Sequence, residues 1–256
     1  MSNETVNKAL WWLCLVAAPL VLLGIELFHP AEFTEKPGMF EYLRTAQPAP
    51  YLNGHNALGY FGPDWWFTLH SIQTPLVGLV SVGLWLLLAR VDGVRDGTTA
   101  AVFAWLSRAA TFVFLIYYTA LDSIGGTGMA RAIVTANGMV AGGALTVKQA
   151  RDLLDAVWQD PYVGGVGSWI SLTGSWAVFF GALFAATALF LTRRTPWPAL
   201  VLLILFGWQL EISHTAMHGP VAFGLLAIAA VWLWIAQRRE RVSTGAATPV
   251  AVDASG

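Results

Sequence analysis

Cysteine and charge are what this chain has least of. Cys14 is its single cysteine, so no disulfide closes within the chain and no thiolate-based zinc or iron–sulfur site is available. Any metal bound here has nitrogen and oxygen ligands. Charged residues make up 11% of the sequence, far below the roughly 25% of a soluble domain. Lys and Arg number 14 against 15 Asp and Glu, and the basic residues are scattered at the ends of apolar runs. That pattern lacks the basic stripe nucleic acid requires and excludes it as a partner. Also missing are a glycine-rich phosphate loop with its lysine, a G-x-S-x-G nucleophile elbow and any internal repeat.

What is there is hydrophobic: 56% of residues, in runs long enough for the hydrocarbon core of a bilayer. The chain reads as an all-α, polytopic transmembrane helical bundle. Six spans are expected, at about 10–28, 65–89, 105–130, 169–191, 197–213 and 220–236, within a single domain over 1–241. The third has the least definite limits. A single helix over 197–236 would measure about 60 Å, twice the hydrocarbon thickness, so a hairpin turning near His218-Gly219-Pro220 is expected instead. Lys8 precedes the first run, which is long for a signal peptide and has no small-x-small cleavage site before Glu26, so it reads as a retained anchor.

Arg90 and Arg95 lie between spans two and three, Arg193 and Arg194 between four and five, and Arg238, Arg239 and Arg241 after six. The positive-inside rule then puts both termini in the cytoplasm, with the acidic loops outside. The outer loop from Ala31 to Pro63 is rich in proline and aromatics, with a short helix expected over Gly38 to Thr45. Thr146-Val147-Lys148-Gln149 has the capping-box pattern, and Ala150, Leu153, Leu154, Val157 and Trp158 follow at helical spacing. A short amphipathic helix on the outer membrane surface is expected there. The tail, 242–256, is small and polar and reads as disordered.

This topology gathers the ionisable residues of the apolar segments at the outer face. Such groups are costly in lipid and mark a site by default. Glu26 and His29 are three apart at the end of span one, and Glu211 and His214 repeat that spacing at the end of span five. Two Glu-x-x-His pairs on different helices suit a carboxylate-bridged metal site, with Asp122 as a further carboxylate. If Glu26 and His29 are merely interfacial, they face water. His214 and His218, four apart, share one face if the helix reaches that far. His70 lies in the outer leaflet, where Pro75, unable to donate to the carbonyl of Ser71, is expected to kink the helix. Its plainer reading is a buried neutral histidine. Asp122 ends an apolar run and precedes Ser123-Ile124-Gly125-Gly126-Thr127-Gly128, whose glycines admit a close neighbour. His55 reads as a surface residue. Trp11, Trp12, Trp65, Trp66, Trp169, Trp197, Trp232 and Trp234 suit a membrane belt.

The metal ligands expected are thus His70, His214, His218, His29, Glu26 and Glu211, with Asp122 as the catalytic carboxylate. Mixed nitrogen and oxygen ligands suit iron, copper or manganese and a metal-dependent membrane oxidoreductase acting on a lipophilic substrate or quinone. Three histidines and a water would instead suit zinc hydrolysis. A single haem between His70 and His29 or His214, in an electron carrier, is a further alternative. So is a non-catalytic subunit or assembly factor bound to partner membrane subunits. No charged path continues to the inner leaflet, which argues against a transporter.

Leu27-Phe28-His29-Pro30, Trp66-Phe67-Thr68-Leu69-His70, Asp122 to Gly128 and His214 to Pro220 together resemble a recurring pattern in uncharacterised polytopic membrane proteins of bacteria, notably actinobacteria. A helix-two histidine, a helix-three aspartate and a late His-x-x-x-His separately resemble the alkaline ceramidase and adiponectin-receptor superfamily of membrane amidohydrolases. That resemblance implies zinc on His70, His214 and His218, with Asp122 assisting the attacking water. The chain departs from it in having six expected spans rather than seven, and Trp66 in place of a serine one turn before the first histidine.

Overall fold

The computed structural model describes residues 3–29, 62–91, 93–193, 195–215 and 217–245, and among them every regular element is helical. The expected helix over Gly38 to Thr45, His55 and the end of the tail lie outside the described residues. Helix α1 (Glu4–Glu26) contains one widened π turn, Leu13–Ala17. Pro19 follows that turn and lacks the N–H that would reach the carbonyl of Leu15, so the ladder shifts register there. Helix α2 (Pro63–Leu87) carries Pro75 inside an unbroken run. Helix α3 (Thr98–Ala141) is 44 residues long, starting before and ending after the expected 105–130. At 1.5 Å per residue it measures about 66 Å, about twice the thickness of a bilayer's hydrocarbon core.

Helix α4 (Val147–Trp158) opens with the capping box: the Gln149 N–H donates to Thr146 Oγ1 at 3.2 Å and the Thr146 N–H to Gln149 Oε1 at 3.0 Å. Its Ala150 and Leu154 bury against Ile133 and Ala136 near the end of α3, while Leu153 and Val157 remain exposed. Helices α5 (Trp169–Leu191), α6 (Trp197–Ile212) and α7 (His218–Gly245) complete the bundle. Five helices (α1, α2, α3, α5 and α7) are long and apolar enough to cross a membrane. The expected fifth span, α6, has 16 residues and falls short of the usual length of about 20. It packs in a hairpin with α7, whose helix runs past the expected end at 236.

Small residues let the helices approach closely. Gly174 of α5 meets the backbone of Tyr117 and Tyr118, and Gly181 lies against Thr111, so α3 and α5 pack along most of their shared length. The Ser107 hydroxyl donates to the Gly181 carbonyl at 2.8 Å across that contact. Gly207 of α6 sits against Ala182 and the backbone of Phe179 on α5. A core of Leu15, Leu22, Val77, Phe114, Val178, Phe206 and Phe223 fills the centre, while Trp105, Trp169, Trp197, Phe112 and Ile228 point outward. Trp66, expected in the outer belt, is instead only 2% exposed.

The alternating direction of the helices decides where the polar residues fall. Lys8, Arg90 and Arg238, from α1, the residues after α2, and α7, meet at one end of the bundle. The end of α1, the start of α2 and the turn between α6 and α7 meet at the other.

Candidate metal centre

Three chain segments bring three histidines to that second end. The chain leaves α1 in a tight turn in which the His29 N–H donates to the Glu26 carbonyl at 3.1 Å. The Trp65 indole N–H donates to the Phe28 carbonyl at 3.0 Å, tying this turn to α2. His29 is thereby turned inward and is fully buried, as is Glu26. Water-facing roles for this pair are excluded. His70 comes from the second turn of α2, with 3% exposure. His214, half-buried, sits in the turn after α6.

Each of His29, His70 and His214 offers a ring nitrogen, and the three nitrogens lie within 4.8 Å of one another. The His29 ring centroid is 5.2 Å from that of His70 and 5.0 Å from that of His214. Ligands about 2.0 Å from a tetrahedral ion stand roughly 3.3 Å apart, so small side-chain rotations suffice to close the three onto one ion. This cluster can hold a metal.

Hydrogen bonding fixes how His70 would present itself. Its Nδ1 stands 2.8 Å from the carbonyl of Trp66, one turn earlier. A carbonyl only accepts, so Nδ1 carries the proton and the lone pair is left on Nε2. Metal-binding imidazoles are commonly oriented in this way by a backbone carbonyl. Trp66 is itself fixed, its indole N–H donating to the Gly125 carbonyl at 3.0 Å. Its ring lies 4.2 Å from His70 and 5.0 Å from His29, and Tyr118 lies 5.4 Å from His214, all measured between centroids. The sequence alone did not single out Trp66 or Tyr118 for this role. Trp66 had a usable signal, being four residues before His70 and so on the same helical face.

The backbone of α3 is specialised beside these rings. Asp122–Gly128 forms a second π-helical stretch, a feature that occurs often at functional sites. Gly126 faces His70 so closely that a Cβ there would overlap the imidazole. Gly125 is approached closely by Trp158 from the end of α4, so that a Cβ there would press on the indole. The residues after α4 fold back beneath that indole: the Gly165 N–H donates to the Trp158 carbonyl at 2.8 Å. In the same turn the Asp160 carboxylate accepts from the N–H groups of Val163 and Tyr162 at 2.9 and 2.8 Å, which holds it below the ordinary carboxylate range. Lined by the three histidines, Trp66, Asp122 and Trp158 is a cavity of about 20 Å³, room for one water.

Two buried carboxylates stand beside the histidines. Asp122, 1% exposed, lines the cavity, and both its oxygens lack a hydrogen-bond partner among the described residues. The same holds for both oxygens of Glu26, whose Cβ packs against Gly219 at the start of α7. Glu26, Asp122 and the Tyr118 phenol are close enough to interact electrostatically. Buried charge without a partner is expensive, and the usual compensations are a proton or a cation.

His218 and Glu211 lie outside the cluster. The chain leaves helical geometry after Ile212, so His214 and His218 do not share one helical face. His218 begins α7 and its Nδ1 lies 2.8 Å from the Gln209 amide oxygen. Glu211, on the last turn of α6, is half-buried and is not among the clustered ligands. The chain matches no family model, no curated protein and no solved structure.

Proposed function

We propose that this protein is a multi-pass membrane protein in which His29, His70 and His214 bind one transition-metal ion, and that the ion serves redox chemistry. The convergence of three ring nitrogens within 4.8 Å carries the metal assignment. Imidazole ligands suit copper, iron and zinc. The buried carboxylates of Asp122 and Glu26 beside the histidines favour redox chemistry, because mixed nitrogen and oxygen donors suit iron, copper or manganese, and the cavity of about 20 Å³ admits a water-sized ligand. The same size argues against a haem, whose macrocycle is far larger than the space between these rings. Trp66 and Tyr118, in ring contact with the ligands, are oxidisable groups buried beside the ion.

The amidohydrolase resemblance put zinc on His70, His214 and His218; His29 stands in the cluster in place of His218, whose Nδ1 faces Gln209. Three histidines with room for one water support zinc hydrolysis as the second reading. Lys8, Arg90 and Arg238 at the opposite end support a bacterial inner-membrane orientation with both termini cytoplasmic and the metal near the outer leaflet.

Electron paramagnetic resonance of the oxidised and dithionite-reduced protein, purified without chelator, tests this proposal. A copper or ferric signal that disappears on reduction is expected. Stoichiometric zinc with no signal in either state would overturn the redox assignment while leaving the metal site intact.

A further inference from the structure

The basic end of the bundle holds a second site. A cleft of about 1110 Å³ opens there between the start of α1, the residues after α2, and α7. That is slightly above the usual size of small-molecule sites. Its lining includes Lys8, Arg90, Arg238, Trp11, Trp234 and Glu4. Three cations against one carboxylate leave a net charge of +2, and among the described residues none of the three cations is in an ion pair. Arg238 lies over the Trp234 ring, 5.7 Å from its centroid, and Trp234 in turn packs on Trp11 at 5.8 Å.

The observation that points to a ligand is Trp11. Only 6% exposed, it lines the cleft, and its indole N–H, itself shielded from solvent, has no acceptor among the described residues. A buried donor is normally satisfied, so an acceptor that closes onto this wall of the cleft would complete it. Cations, an unmatched donor and an aromatic wall together call for an anion attached to an apolar body. The cleft opens where helix ends meet the membrane surface, the level at which phospholipid phosphates lie.

We propose that this cleft binds the phosphate-bearing headgroup of an anionic phospholipid of the inner leaflet, with Lys8 and Arg238 holding the phosphate and the Trp11 N–H donating to one of its oxygens. The assignment rests on the membrane orientation proposed above and is independent of the metal.

The test uses the full chain in phosphatidylcholine nanodiscs doped with phosphatidylglycerol, with retained lipid counted by native mass spectrometry. The wild-type protein should retain phosphatidylglycerol in preference to phosphatidylcholine. Retention should fall about five-fold for each cation removed, and so about 25-fold in the double variant Lys8→Gln/Arg238→Gln. Arg193→Asn removes a charge from the same face outside the cleft and should change nothing. Trp11→Phe keeps an aromatic ring and removes only the donor; a few-fold loss is expected, and this variant carries the test if the double variant does not fold. Wild-type retention in both Trp11→Phe and the double variant would overturn the proposal. So would equal loss in Arg193→Asn, which would mean diffuse surface attraction, or full displacement of the lipid by inorganic phosphate, which would mean a site for a free anion.

Discussion

His70 and Trp66 hold each other in place. The Nδ1–H of His70 donates to the Trp66 carbonyl at 2.8 Å, and the Trp66 ring lies 4.2 Å from the imidazole it orients. The indole N–H then reaches Gly125 on α3, so a single residue pair links the ligand face of α2 to the π-helical stretch of its neighbour. The geometry of the centre therefore depends on contacts one layer away from the histidines.

Gly126 is the sharpest point of that dependence. Gly126→Ala places a Cβ where the His70 ring now sits, and the ring, rather than the helix, is the part able to move. Metal affinity should fall about ten-fold or more, in the range that supporting-shell changes produce. Competition titration against a chelator measures this, with circular dichroism expected to show unchanged helicity.

Trp66→Phe retains most of the packing but strands the Gly125 carbonyl in the bundle. A destabilisation of about 1 kcal/mol is expected for such an interhelical bond. Thermal unfolding in detergent should show it as a lowered midpoint, and metal binding should weaken with it because His70 loses part of its support.

Asp122→Asn and Glu26→Gln separate the two roles of buried carboxylates. Both groups lack hydrogen-bond partners among the described residues. Removing their charge should relieve an unfavourable burial in the metal-free protein and weaken binding of a cation, about ten-fold each. The measured pattern should be an apo form at least as stable as wild type together with a lower metal affinity. A loss of apo stability would instead assign these side chains to packing.

The helical bundle was legible in the sequence because hydrophobic length is a direct physical requirement of a bilayer. The limits of α3 were not: the expected span, 105–130, took in Asp122 to Gly128, which the helix crosses by widening into a π stretch, but the helix runs from Thr98 to Ala141, past the length that a bilayer dictates. The gathering of Glu26, His29, His70, Asp122 and His214 at one end was also readable, because alternating spans dictate it. His218 was not: its spacing from His214 implies a shared face only on a continuous helix, and the helix of α6 ends at Ile212, with residues 213–215 and 217 outside any helix. Trp66 carried both signals of a belt residue and of a helical neighbour of His70, and only packing distinguishes them.

The measurement that bears most directly on the central claim is elemental analysis of the chain purified without chelator, wild type beside four single variants. Near-stoichiometric copper or iron is expected in the wild-type protein, lost for the most part in His29→Ala, His70→Ala and His214→Ala and retained in His218→Ala. Folded wild-type protein without metal would contradict the account, as would a loss in His218→Ala equal to that in the other three.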